Sequence, residues 1–164
     1  MAARIIETAD ALVAAIAAEW ADFWGGAPAG HDSCERVYVE PAGDLGKLLG
    51  RHAWVSPVAF ADTTASRKEN LGAYTLSVIL AERCPDAGPP ARAWTDERVG
   101  WVQAVADLVG SYGNRRASGW LQVGTPARRL LSERIEVAVY DWNYLDKHRV
   151  FWAELEVELR EVRA

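Results

Sequence analysis

From Ile5 to Trp24 the apolar residues recur at three- and four-residue steps: Ile5, Ala9, Leu12, Val13, Ile16, Trp20, Phe23 and Trp24. At 100° per residue these positions share one face, with Glu7, Asp10, Ala18 and Asp22 elsewhere. The spacing predicts one amphipathic helix, stopped by Gly25-Gly26. A second helical period runs through Val99, Val102, Val105, Ala106, Leu108 and Val109. Thr95 is its expected N-cap, Asp96 and Glu97 suit its first turn, and it should close near Gly110 or Gly113.

Elsewhere the period is two. ERVYVEP places Val37 and Val39 on one side, and YTLSVILAER alternates Tyr74, Leu76, Val78 and Leu80 with Thr75 and Ser77. HAWVSPVAFA reads as a strand in which Pro57, lacking an N–H, marks an edge or a bulge. DLGKLLGR before it suggests a helical turn. Prolines and a glycine make CPDAGPPARAW a connector, and GNRRASGWLQVGTPAR reads as loop with a short strand. RLLSERIEVAVYD turns Leu131, Ile135, Val137 and Val139 inward. In the last stretch, FWAELEVELREV, Phe151, Ala153, Leu155, Val157 and Leu159 fall on one side, and Glu154, Glu156, Glu158 and Arg160 on the other. If these two strands form a hairpin centred near Leu145, Arg134 opposes Glu156 and Glu136 opposes Glu154, leaving a net acidic polar face.

The order is helix, two or three strands, helix, two strands, without regular alternation and without an internal repeat. This predicts one α+β domain over 1–164: a mostly antiparallel or mixed sheet with both amphipathic helices packed on one face.

Composition narrows the function. The formal charge of −5 over 164 residues argues against a free-standing nucleic-acid binder, though not against a protein that nucleic acid passes. Eight tryptophans fit either a Trp-rich core or a surface buried against partners. Two cysteines, Cys34 and Cys84, form no CxxC pair, which suggests a reducing compartment. No secretory leader is visible and no apolar run approaches the roughly 20 residues of a membrane span, so a soluble protein made in the cytoplasm is expected, with no membrane partner.

Candidate chemistry is sparse. His31, His52 and His148 lack metal-ligand spacing. HDSC, residues 31 to 34, offers three ligand types in a Gly-rich loop, but without a partner cluster it reads as an ordinary polar loop. GDLGK, residues 43 to 47, lacks phosphate-loop spacing, and no GxSxG is present. Cys84 reads as a small apolar residue at a strand end. Glu154, Glu156 and Glu158 share one open face, whereas acid-base catalysis needs carboxylates in contrasting environments. A solvated sheet face is their plainest reading. No catalytic, cofactor-binding or metal residue is expected. Arg115-Arg116 and Arg128-Arg129 read as solvated loop charge or as contacts to acidic neighbours. The polar stretch 61–73, containing Ser66, Arg67, Lys68 and Glu69, reads as a flexible arm.

The whole layout resembles the tail terminator, or tail completion, proteins of long-tailed bacteriophages and related tail-like particles. The resemblance rests on the N-terminal helix, the short Val37–Val39 strand, the Pro-interrupted strand and the basic arm around Ser66-Arg67-Lys68. It continues through YTLSVILAER, the helix TDERVGWVQAVADLV and the closing acidic strand. It implies a virion protein without catalysis or cofactor, forming a ring, typically a hexamer. Such a ring caps the head-proximal end of the tail tube, halts tube polymerisation and joins the head-completion proteins. Double-stranded DNA passes through its centre without specific binding. In that ring Glu136, Glu154, Glu156 and Glu158 would face the channel, and the arm with Ser66, Arg67, Lys68 and Glu69 would touch tube or neighbouring subunit. The alternatives are another head-tail connector, a stopper or adaptor, or a small-molecule pocket lined by Trp94, Trp101, Trp120 or Trp142.

Overall fold

Alternating apolar positions on three long strands build the centre of the molecule. The computed structural model describes residues 3–24, 26, 28–38, 45–66, 69–85, 88, 90–112 and 119–162. In chain order these form α1 (Arg4–Ala18), α2 (Trp20–Trp24), β1 (Ser33–Arg36), a 3-10 turn (Leu45–Lys47), β2 (Arg51–Ser66) and β3 (Glu69–Arg83). Then follow α3 (Arg92–Ser111), β4 (Leu121–Val123), β5 (Arg128–Ala138), a π-helical turn (Tyr144–His148) and β6 (Val150–Val162). The six strands make one mixed sheet in the order β1-β2-β3-β6-β5-β4, in which only β1 and β2 run parallel. The chain is an α+β protein, as its periodicities predict.

One face of the sheet carries the main core. Ala53 and Val55 of β2, Tyr74, Leu76, Val78 and Leu80 of β3, and Phe151, Ala153, Leu155, Val157 and Leu159 of β6 all point to it. Leu12 and Ile16 of α1 and Val102, Val105 and Val109 of α3 close over them. Each Val, Leu, Ile or Phe among them, fully buried, contributes about 1.5–3 kcal/mol. Aromatic rings fill the seam between the helices: Trp24 meets Trp20 at 3.7 Å and Trp101 at 5.1 Å, both edge-on.

The opposite face is split. At one end Trp54, Ile79, Ala81, Val150 and Trp152 form a second apolar cluster, covered by Val37, Leu45, Leu48 and Tyr144. At the other end the sheet is bare, and the glutamates of β6 stand there.

Several expectations change. The first helix is not continuous: Glu19 leaves the helical region (φ −94°, ψ 3°), and past the break Trp20 packs on Trp24, which meets Trp101. Thr95 does not cap α3; the helix starts earlier, with Ala91 at the N-cap and the Thr95 N–H already bonded to the Ala91 carbonyl at 3.2 Å. The strand expected at 35–41 is shorter and earlier, because β1 begins inside the HDSC loop and ends at Arg36. Val37 still donates its N–H to the Val55 carbonyl, and Val39 lies outside the described residues.

A bulge between Ser132 and Arg134 shifts the face of β5, so Leu130 is buried and Leu131 instead opposes Arg160 on the bare side. The β5–β6 hairpin forms, but its register differs by two. Arg134 opposes Glu158, not Glu156, and Glu136 opposes Glu156, not Glu154. The cause is the turn: a π-helical segment closed by Arg149 in the left-handed region (φ 57°) moves its centre. Finally, the polar stretch 61–73 continues β2 and β3 as a paired hairpin out to Ser66 and Glu69. Arg67, Lys68, Arg115, Arg116, Gly43 and Asp44 lie outside the described residues.

Candidate functional site: the acidic sheet face

Along β6, burial alternates from Ala153 to Arg160. Leu155, Val157 and Leu159 are fully buried, Glu154, Glu156 and Arg160 exposed, and Glu158 half-buried. The apolar half of the strand anchors it to the helices, and this fixes the carboxylates on the helix-free face. Register places Arg134, Glu136 and Ala138 of β5 on that face beside Glu158, Glu156 and Glu154. On the other flank β3 contributes Thr75 and Ser77 opposite Glu158 and Glu156. The four residues predicted as a row, Glu136, Glu154, Glu156 and Glu158, are therefore together.

Compensation is partial. Arg134 bonds Glu136 and lies 3.6 Å from Glu158. Arg160 bonds Glu133 at 2.9 Å, and Ser77 donates to Glu154 at 2.8 Å. Glu156 has no ion-pair partner among the described residues, and Glu136 stands directly across from it. Arg134 and Arg160 face Glu133, Glu136, Glu154, Glu156 and Glu158, so the surface is net negative. The carboxylates lie beside an open hollow over Glu136, Ala138, Glu154 and Glu156, not in a cleft. No group of three His, Cys, Asp or Glu side chains that could hold a metal occurs among the described residues.

A second polar assembly sits at the root of the β2–β3 hairpin, on the helix side. β3 pairs with β6 as far as Ala73, so the hairpin beyond the Ala61–Ala73 pair, from Asp62 to Ser66 and from Glu69 to Gly72, has no β6 partner. At that limit the buried Glu161 accepts from the Gly72 N–H at 3.2 Å and from the Tyr74 hydroxyl at 3.3 Å. Arg128 donates to the Tyr74 oxygen at 3.1 Å and to Glu7 at 2.8 Å, while Arg4 and Arg128 approach Glu161 at 3.9 and 3.8 Å. Burial and then the Glu161 charge push the Tyr74 phenol up, against the opposing pull of Arg128 and Arg4. Arg128 is thus not solvated loop charge. A cavity of about 210 Å³ opens beside this network, lined by Ala3, Arg4, Ile5, Phe60, Asp62 and Tyr74. No local pattern announces the network: Glu7 and Arg128 are 121 residues apart.

The other candidates disperse. Within HDSC, Asp32 binds Arg51, Ser33 donates to His52 Nδ1 at 2.7 Å, and the Cys34 thiol donates to the Val13 carbonyl at 3.5 Å. His52 Nε2–H donates to the Leu49 carbonyl at 2.6 Å, and the ring stacks on Trp54. Burial, then Glu35, pushes the Cys34 thiol up to about 11. Cys34 and Cys84 are both free. Trp94 and Trp101 sandwich the Arg98 guanidinium at 4.2 and 4.4 Å, and Arg98 in turn bonds Glu82 at 2.8 Å. Trp120 lies instead under the Arg129 guanidinium at 6.0 Å, and Trp142 lies apart, 64 % exposed. Ser66 and Glu69 are backbone partners in the β2–β3 ladder. No helix among the described residues is long and apolar enough to cross a membrane.

No protein-family model matches the chain, and no curated protein matches it. Among solved structures, the chain is similar to one from the virion of a native gene transfer agent (GTA) particle. The two share a TM-score of 0.50 and 15% sequence identity, over 98% of each chain. At that identity the likeness is one of fold.

Proposed function

We propose that this chain is a structural protein of a phage-like virion, without catalytic role, that forms a ring capping the head-proximal end of a tail tube. The observation that carries the reading is the helix-free sheet face bearing Glu136, Glu154, Glu156 and Glu158 in one register. The end-to-end fold likeness to a chain of a gene transfer agent virion supports the structural class. DNA must slide through such a collar. Each phosphate contact adds affinity through counterion release, so a basic lining holds the duplex and an acidic one keeps it mobile. Repetition of the glutamate face around a ring focuses that repulsion. A ring requires head-to-tail contacts whose rotations sum to a full turn. One ring face then matches the tube end, and the opposite face refuses further tube subunits and meets the neck.

The test mixes the purified protein with its uncapped tail tubes. Rings seen at tube ends by electron microscopy, with tube growth arrested, are the expected result. Unarrested growth and no end-bound density would overturn the reading. Attachment to the head vertex in place of the tube would reassign the protein as a stopper or adaptor.

A further inference from the structure

Each end of the strand order leaves a length of strand unpaired among the described residues. β1 pairs with β2 only over His52–Val55, and β4 pairs with β5 only over Arg128–Leu130. The rest of β2, and β5 from Leu131 to Ala138, have an open edge. Open edges are templates for further pairing. Large apolar side chains are exposed beside both. Val58 is 57 % and Phe60 66 % exposed on β2, and Phe60 walls the cavity shared with Ala3, Ile5 and Tyr74. Val137, Val139, Tyr140 and Trp142 are exposed at the end of β5 and just past it, with Trp142 protruding most. One end is thus a hole and the other a knob.

We propose that these two ends bind each other between copies of the chain: the 139–142 segment of one copy seats Trp142 in the Phe60 cavity of the next, and the open β5 edge lies along the open β2 edge. The proposal rests on the ring reading and names its subunit contact. A second copy is the fitting occupant for three reasons. Each surface carries both signs of charge beside its apolar centre, Arg4 and Asp62 at the hole, Asp146 and Lys147 in the turn after the knob. An aromatic side chain brings about 150–250 Å² of contact, well short of the roughly 800 Å² per partner in a stable pair, and the strand edges supply the remainder. The ends are also offset along the strands: Phe60 is level with Tyr74 and so with Leu159, and Val137 with Leu155. Joining them therefore staggers successive sheets, as closure of a sheet into a ring requires. Different surfaces meeting head to tail make a ring or a filament, never a two-fold dimer.

The experiment uses full-length Phe60→Cys and Trp142→Cys chains, alone, mixed and combined in one chain. Each is oxidised at micromolar to millimolar concentration beside the wild type, which controls for Cys34 and Cys84. A disulfide-linked dimer only in the mixture, and a ladder from the doubly substituted chain, is the expected result. Trp142→Ala should weaken self-association about 30-fold, the loss of one hot-spot residue. Dimers from Trp142→Cys alone would overturn the contact in favour of a two-fold one. A ring mass by native mass spectrometry without the cross-link would overturn the contact but leave the ring reading standing. A cross-linked ladder that never closes would keep the contact and remove the ring. Monomers throughout, with no cross-link, would remove both.

Discussion

Arg51 joins three segments that sequence keeps apart. Its guanidinium donates to the Trp24 carbonyl at the end of α2 (2.6 Å) and to Asp32 (2.9 Å), and its backbone N–H donates to Asp32 at 2.8 Å. Asp32 accepts a further N–H from Ala29 at 3.2 Å. Burial pushes the Asp32 carboxyl up, but the Arg51 hydrogen bonds, the Ala29 N–H and the Arg51 charge outweigh it and hold it below the ordinary 3.8. A depressed folded-state value means stability that is complete above 3.8 and lost as pH falls through the lowered value. Asp32→Asn should therefore cost about 1.5–3 kcal/mol at neutral pH. The gap to wild type should narrow below 3.8, as read by urea unfolding across pH; a gap that widens there would reverse the argument. At the hairpin root, a Cβ on Gly72 would fall within 2.8 Å of Tyr74 Cε2 and closer still to its hydroxyl. Glu161 and Arg128 hold that ring, so it cannot swing aside. Gly72→Ala should cost about 1–3 kcal/mol. In a Tyr74→Ala background the same change should cost under about 0.5 kcal/mol, a coupling visible in a double-mutant cycle.

At the scale of elements, β5 and β6 hold a local conflict. Glu136 and Glu156 are directly opposed, and like charges in that position destabilise a strand pair. Glu156→Gln should raise stability by about 0.5 kcal/mol at low salt, and the gain should shrink as salt screens the pair. If chemical denaturation shows a loss, the face is tuned for stability and the case for a retained repulsive surface weakens. The acidic row itself was legible, because period-two alternation in FWAELEVELREV is anchored by an unbroken apolar partner face. The bulge at Pro57 was legible from a missing N–H and appears as the register shift between Pro57 and Ala59. What escaped was set by turn and bulge geometry. One extra residue at Ser132–Arg134 turned Leu131 outward, and the π-helical turn moved the hairpin register by two without changing which face the glutamates occupy. The hairpin extension, Asp62–Ser66 paired with Glu69–Gly72, has no continuous apolar face, so periodicity could not mark it as strand. The Glu161 network joins chain ends that no local window spans.

At the scale of the whole molecule, the role proposed for this face depends on the proposed assembly. In one subunit, the excess of carboxylate over Arg134 and Arg160 is a modest surface charge, screened within about 8–10 Å at physiological salt. In the proposed collar the same face would enclose a channel, where low-dielectric walls concentrate the field and the duplex could not move away from it. Glu154→Lys, Glu156→Lys and Glu158→Lys together would reverse the sign of the face proposed to line the channel. These side chains contribute little to the core, whose β6 partners are Leu155, Val157 and Leu159. Lys at 158 meets Arg134, however, so a modest loss of stability is expected, and Glu158→Gln with the other two as Lys is the matched control. Particles carrying the changes should assemble tails of normal length yet release DNA several-fold more slowly. The delay should vanish with added salt, since each new phosphate contact adds about −0.9 to the slope of log affinity on log salt. Time-resolved ejection at two ionic strengths reads both effects. Wild-type ejection rates in assembled variant particles would mean that DNA does not sense this face, and the acidic surface would then be a solvated exterior.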